Sequence, residues 1–297
     1  MAFLMAAAAL AAAAQAEPAS KWQVDFGEAA CLAARKYAID GDDVTMIIKP
    51  AAHGLSTEFM LLKDGRSQPA LAATATVWLD GEKIEAKRIS YKSDELGQVV
   101  SRYTVPVNAA RLASVSRLTF EDGRERTMID VPRMGGVSDA LGKCVSQLRE
   151  TYNVAGEGLS EGPLGGADGA KGDVRSLITS DDYPASSVMS GKGGIARAFL
   201  LVNAEGRVKD CTLVSYAGDP LVLAQTCNIL IERARFKPAT DRDCVPTQGS
   251  FTTPIIRWMV QGKRRSAERA MVDEFEAMDR TYDAAFGGVD PEDYRTL

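Results

Sequence analysis

The side chains that most often carry out catalysis are few in this chain, and histidine is the rarest of them. His53 is the single histidine among 297 residues. A Ser-His-Asp triad would depend on His53, and a metal site built on histidines would have one such ligand at most. Because Gly54 follows it and is typical of turns, we predict a solvated imidazole in a turn between two strands.

Other candidate catalytic patterns are weak. The acid pairs Asp42-Asp43 and Asp181-Asp182 flank structured blocks, where helix caps and solvated loops explain them. Residues 136–143 resemble a phosphate-binding loop, but the glycine spacing is wrong and no Ser or Thr follows the lysine. We therefore predict a protein that is not an enzyme, with no cofactor, no metal site and no evident small-molecule substrate.

Length and composition favour two globular domains. The chain exceeds one average domain, and its 45% hydrophobic and 25% charged residues are typical of globular proteins that bury a core. A net charge of −5 and a pI near 5.2 argue against a nucleic-acid-binding surface, which needs clustered positive charge. The basic clusters Lys87-Arg88 and residues 263–265 are short, so we predict no nucleic-acid partner.

The first 16 residues are almost wholly apolar and end in Ala14-Gln15-Ala16, the small-x-small pattern that a signal peptidase cleaves. A helix of this length reaches about 24 Å, which is short of the roughly 30 Å hydrocarbon core of a bilayer. We predict a signal peptide over residues 1–16 and a periplasmic mature chain that begins at Glu17. Because no Lys or Arg precedes the apolar run, an inner-membrane anchor formed by the same residues is the alternative.

Five cysteines without a Cys-x-x-Cys motif fit an oxidising compartment better than a zinc site. Cys31 and Cys144 lie at the two ends of the proposed first domain, so a bond between them would close it. Cys211, in a predicted strand, and Cys227, on the following helix, make the second plausible pair. Cys244 is left as a free thiol in a loop or as a partner in exchange with Cys211 or Cys227.

Four segments follow the leader. Residues 17–153 read as a β-rich domain closed by a disulfide, and residues 154–179 as a glycine-rich linker with few large apolar side chains. Residues 180–260 form a second domain, and residues 261–297 a helical tail. The chain is therefore predicted to be α+β.

In the first domain, helical patterns at residues 28–37 and 137–149 flank short runs with β patterning. Asp80-Gly81 and Asp122-Gly123 are typical hairpin turns. The predicted strands cover residues 44–48, 58–62, 74–79, 83–91, 99–105, 116–120 and 126–131. The paired cysteines, the strand-rich middle and the closing Gly-x-x-x-Ala-Leu helix have a faint similarity to the IalB-like periplasmic family.

In the second domain, residues 195–202 and 208–215 read as a hairpin around Gly206. Asp219 and Pro220 then open a helix, with Asp219 as the cap and Pro220 at the first helical position. A last strand is predicted over residues 250–260. Pro254 lies within it, and proline cannot donate to a ladder, so this strand should lie at a sheet edge.

The order of motifs in this region resembles the C-terminal domain of TonB energy transducers. It runs from Tyr183-Pro184 through Glu-Gly-Arg-Val and Gly-x-Pro to Ala-Arg-Phe-x-Pro-Ala and a strand ending near Trp258. The family's Ser-Ser-Gly is replaced by Tyr-Ala-Gly, and neither a retained membrane helix nor a long proline-rich spacer is evident. The resemblance implies a ββαβ domain with a partner-binding edge.

A segment of an outer-membrane transport protein is the partner that the resemblance implies, added as a strand beside residues 251–260. A structural or stress-related envelope protein that retains the fold without energy transduction is the alternative. Tyr183 and Pro184 would orient the entrance of the domain. The predicted contacts to the partner are Thr252, Thr253, Ile255, Arg257 and Met259.

Residues 263–286 carry one apolar stripe on a charged helix. Packing against its own domain is the ordinary role of such a stripe. The helix could instead form a homodimer or cover the edge strand and make binding conditional.

Overall fold

The structure is a computed structural model that describes residues 14–65, 71–123, 125–154, 169–259 and 265–286. Over these ranges it is mostly β, with 43% of the described residues in strands and 27% in helices, and its largest unit is a closed nine-stranded mixed barrel. The α+β class with a TonB-like ββαβ domain was therefore wrong. Helical patterns at the two ends of the first domain favoured the α+β class. Closure of a barrel depends instead on pairings between residues that are distant in sequence, which local patterns do not indicate.

The described residues between 14 and 154 form ten strands and one long helix. They are β1 (Ala14–Pro18), β2 (Gln23–Phe26), β3 (Cys31–Ile39), β4 (Asp42–Pro50), β5 (Thr57–Lys63), β6 (Leu71–Leu79), β7 (Glu82–Lys92), β8 (Val99–Val105), β9 (Arg117–Asp122), β10 (Glu125–Asp130) and α1 (Met134–Thr151).

The barrel closes through its first strand. The order is β1-β10-β9-β6-β7-β8-β5-β4-β3, and β1 then pairs with β3, while β2 extends the sheet beyond β3. Ala14, Gln15 and Ala16 pair in parallel with β10, whereas Glu17 and Pro18 pair antiparallel with β3. The residues before the predicted cleavage point after Ala16 thus include three of the five residues of the closing strand, and residues 1–13 lie outside the described part.

The seven predicted strands of this region are β4 to β10, and the Asp80-Gly81 turn has the positive φ values, 49° and 93°, that such turns require. The helix predicted over residues 28–37 is wrong, because this segment contains β3. Alternate residues of β3, among them Cys31, Ala33 and Tyr37, are fully buried. Pairing with β2 and β4 overrides the helix propensity of its alanines.

Both predicted disulfides are present. Cys31–Cys144 joins β3 to α1, with a Cα–Cα distance of 5.9 Å. The second bond, Cys211–Cys227, has a Cα–Cα distance of 5.6 Å. Cys244 is a free, exposed cysteine.

A second, smaller sheet follows the barrel. The elements in this part of the chain are α2 (Ala185–Ser190), β11 (Gly194–Val202), β12 (Val208–Gly218), α3 (Pro220–Arg233), β13 (Ala239–Thr240), β14 (Pro246–Thr247), β15 (Gly249–Thr252), β16 (Ile256–Trp258) and α4 (Arg265–Phe286). The sheet itself consists of β11, β12, β15 and β16, while β13 and β14 pair with each other as a separate two-stranded sheet. β11 lies between β12 on one side and β15 and β16 on the other. The predicted cap is present, since Asp219 accepts a hydrogen bond from the Leu221 N–H and Pro220 begins α3.

The last strand differs from its prediction in one respect. Residues 250–260 were expected to form one strand, but the chain forms β15 and β16 with a break at Thr253, Pro254 and Ile255. Proline removes a ladder donor, which explains the break. Val260 lies outside the described residues.

Helices cover both faces of this sheet. Side chains of α3, such as Leu223 and Leu230, pack with Ala198 and Leu200 of β11. On the opposite face, Phe275 of α4 packs with buried residues at the start of β11. The trailing helix therefore packs on the sheet face formed by β11 and β12, the ordinary role for its apolar stripe.

Barrel and sheet share a core. Phe199 and Leu201 of β11 belong to the same cluster of buried side chains as the barrel interior. Polar contacts reinforce the junction, since Lys49 pairs with Asp210 at 2.5 Å.

In the predicted linker, residues 155–168 lie outside the described part, whereas Val174 is fully buried against the second sheet.

Candidate functional site

The edge formed by β15 and β16 carries most of the predicted partner contacts. β11 flanks both strands on one side, and no strand of the described chain flanks them on the other. Backbone groups on the outer side of a sheet edge can pair with an extended segment. The candidate site therefore consists of the backbone groups of β15 and β16, and the surrounding side chains keep these strands in position.

Thr253, a predicted partner contact, faces the interior. Its side chain is fully buried, and its hydroxyl accepts a hydrogen bond of 3.0 Å from the Ala198 N–H. Its own N–H donates to the Ala198 carbonyl at 2.9 Å. Thr253 thus holds the break between β15 and β16 against the central strand, because its side chain replaces a backbone partner in the ladder.

Thr252 and Ile255 point toward α4. The Thr252 hydroxyl lies 3.0 Å from the hydroxyl of Tyr282 on α4. Ile255 is half-buried and packs on the cluster that contains Ile195 and Phe275. Both side chains make contacts within the protein, so they support the edge on the face that α4 covers.

Arg257 lies in the middle of β16, opposite Ile195 of β11. Burial lowers the pKa of its guanidinium below the ordinary value, and the negative charge of Glu268 acts in the opposite direction. Its Nη2 is buried without a hydrogen-bond partner among the described residues. A cation held in this way beside an edge is suited to a carbonyl or carboxylate acceptor on an incoming segment.

Tyr183 fixes the end of the edge strand. Its ring lies edge-on to Trp258, with 5.3 Å between the centroids, and its hydroxyl donates to the Lys192 carbonyl at 2.9 Å. Burial raises the pKa of Tyr183 to about 12, so the hydroxyl stays protonated near neutral pH. Pro184 precedes α2, and Met259, just after β16, is 44% exposed.

His53 was wrongly expected to be solvated. It is 3% exposed, its Nδ1 accepts a hydrogen bond of 3.1 Å from the Leu55 N–H, and its ring lies edge-on to those of Phe199 and Tyr282. Burial, with smaller contributions from the positive charges of Arg149 and Lys49, lowers the pKa of His53 to about 3. The imidazole is therefore neutral near pH 7.

A groove of about 460 Å³ lies beside His53, between the barrel wall and α4. The barrel contributes residues of β7, β8 and the turn after β4, and α4 contributes one side, including Ala277 and Met278. Lys87 of β7 forms an ion pair across it with Glu274 of α4. The groove was missed from sequence because it forms only when the last helix meets the barrel.

The chain matches no protein-family model, no curated protein and no solved structure. No group of three or more His, Cys, Asp or Glu side chains suited to a metal ion occurs in the described ranges. None of the helices described combines the length and the apolar composition needed to cross a bilayer.

Proposed function

We propose that this protein is a periplasmic binding module that takes up an extended segment of a partner protein along β15 and β16. The observation that carries the proposal is the position of these strands, which have β11 on one side and no described strand on the other. Added backbone hydrogen bonds would supply affinity, and nearby side chains would supply specificity.

The side chains around the edge support this role. Ile256 and Trp258 are buried in the core on the α3 side, so they hold β16 in place. Arg257 offers a partly desolvated cation and Met259 an exposed, adaptable apolar surface. A segment with an apolar residue and a carboxylate or free carbonyl at neighbouring positions fits this combination.

The partner class comes from the motif resemblance, which implies an outer-membrane transport protein and a role linked to transmembrane transport. The two disulfides are typical of proteins in oxidising compartments, and the Ala-x-Ala pattern before Glu17 favours export to the periplasm. The mass of the mature N-terminus tests this part independently.

A structural role in the envelope without partner binding is the second candidate. The observation in its favour is the break at Pro254, because short strands and prolines are devices that protect sheet edges from unwanted pairing. The two candidates differ in whether β15 and β16, interrupted at residues 253–255, offer enough backbone to hold a partner.

A pull-down from outer-membrane extracts distinguishes them. Arg257→Pro removes a backbone N–H in the middle of β16, while Asp94→Pro places the same residue in the turn between β7 and β8. Met259→Glu is a milder change at the end of the edge. Unfolding midpoints of all three variants report whether each remains folded.

We expect a transport protein to bind the wild type and the Asp94→Pro protein, and to be lost with Arg257→Pro and weakened with Met259→Glu. Protection of β16 amides from hydrogen exchange in the complex would locate the contact. The same captured proteins with every variant, or none at all, would favour the structural role.

A further inference from the structure

The groove between the barrel and α4 is separate from the β15–β16 edge and has the features of a small-molecule site. Its volume of about 460 Å³ lies within the range of roughly 300 to 1,000 Å³ that is typical of ligand pockets. Most of its wall is apolar, with Pro106 and Val214 on one side and Ala277 and Met278 on the other. Such a wall suits an apolar ligand body, and the flexible thioether of Met278 can adapt to its shape.

Acidic residues outnumber basic residues in the groove. Glu85 and Lys87 are two residues apart on β7, so their side chains point to the same face of the strand. Lys87 is neutralised by its ion pair with Glu274. The exposed Glu85 has no hydrogen-bond or ion-pair partner among the described residues, and the neutral His53 adds no charge. The groove therefore carries one uncompensated negative charge.

We propose that this groove binds a small amphipathic amine, with its apolar body along Met278 and its ammonium group beside Glu85 and Glu274. A carboxylate of the same size fits less well, because it would have to displace Glu274 from Lys87 and would then face Glu85. An uncharged molecule would fill the apolar wall and leave the charge of Glu85 unmatched. Charge complementarity thus selects the amine among ligands of equal shape.

Three probes of equal chain length separate these possibilities: octylamine, octanoate and octanol, each titrated below its aggregation threshold and followed by calorimetry. We expect octylamine to bind most tightly and its affinity to fall as salt is added, because exposed charge pairs are screened. Tighter binding of octanoate, equal binding of octylamine and octanol, or no binding of any probe overturns the proposal.

Two matched pairs of variants locate the binding. Glu85→Gln should weaken octylamine binding about three- to fivefold, the range for a partly exposed ion pair, while Glu150→Gln on the exposed side of α1 should leave it unchanged. Ala277→Phe fills the groove and should abolish binding, whereas Ala270→Phe makes the same change on α4 outside the groove. Binding that survives Ala277→Phe in a folded protein would also overturn the proposal.

Discussion

The barrel and the second sheet deal with their edges in opposite ways. In the barrel, β1 pairs with β10 on one side and with β3 on the other, so every strand of the closed ring has two neighbours. The second sheet stays open, with β12 beside the barrel and β15 and β16 at the far edge. Closure removes unpaired backbone groups from the ring of the barrel, whereas the open sheet retains them along β15 and β16.

Stability follows the same division. The barrel disulfide encloses a segment with a separation of 113 residues, whereas the disulfide of the open sheet joins residues only 16 apart. A crosslink across a long segment restricts the unfolded chain more than one across a short segment. The barrel disulfide should therefore contribute more to stability than the disulfide of the open sheet.

Removing the barrel disulfide should have the largest effect. The Cys31→Ser/Cys144→Ser protein should lose about 4 to 5 kcal/mol of unfolding free energy, against about 3 kcal/mol for Cys211→Ser/Cys227→Ser, by the chain-entropy relation. Denaturant unfolding of both proteins measures the difference. A larger loss from the second pair would contradict the order that the two segment lengths predict.

The ion pair under α4 is the main polar anchor of the open sheet. Asp279 is fully buried, accepts from Arg197 at 3.0 Å and accepts from the Ser215 hydroxyl at 2.6 Å. Asp279→Ala leaves a buried guanidinium without its carboxylate and should cost about 3 to 5 kcal/mol. Denaturant unfolding measures this loss.

A control lies on the same helix, where the exposed Asp273→Ala should cost less than about 0.5 kcal/mol. Replacing both members of the pair by Asp279→Leu and Arg197→Met should recover much of the loss, because a buried pair and a well-packed apolar pair are often similar in stability. Equal losses for Asp279→Ala and Asp273→Ala would show that the buried pair does not anchor α4.

Features of the barrel and of the open sheet differ in how far they could be predicted, according to whether they depend on nearby or on distant residues. The strands β4 to β10 and the Asp219 cap depend on alternation and on turn residues close in sequence, so local patterns sufficed. Closure of the barrel by β1 could not be predicted, because Ala14, Gln15 and Ala16 pair with residues of β10 that lie far away in the sequence. The burial of His53 likewise depends on α4, at the other end of the chain.

The edge position of the last strands was predicted, but the orientation of their side chains was not. Pro254 correctly indicated an edge position, because proline lacks the donor that a central strand needs. Which side chains face outward could not be predicted from alternation, since the break at Thr253 changes the register between β15 and β16. Thr253 is consequently buried, and Met259 is exposed.

Opening the barrel tests closure directly. A chain shortened to begin at Glu17 lacks the three residues that pair with β10, and it should be about 2 kcal/mol less stable than one that begins at Ala14, from the net value of two or three hydrogen bonds. Denaturant unfolding of the two chains measures the difference. Equal stability would mean that β1 adds nothing to closure of the ring.

Acid should weaken the junction at His53. Because the pKa of His53 is lowered to about 3 in the folded state, the unfolded state binds one more proton between about pH 6.5 and pH 3. Stability from this group is present above about pH 6.5 and should fall by about 2 kcal/mol on going from pH 7 to pH 5. In His53→Asn, whose amide oxygen can accept from the Leu55 N–H, that decrease should disappear; an unchanged decrease would assign it to other groups.

The smallest expected effect decides whether barrel and sheet unfold together. Tyr216 of β12 and Thr104 of β8 are joined by a hydroxyl–hydroxyl bond of 2.9 Å across the junction. Tyr216→Phe and Thr104→Val each remove one partner, and the double variant should show a coupling of about 1 kcal/mol in unfolding free energy. If the sheet unfolds separately from the barrel, the coupling should vanish and the transition should split into two phases. A single transition with the full coupling would mean that the open sheet depends on the closed barrel for its order. The barrel would then also stabilise the β15–β16 edge, through its junction with the sheet.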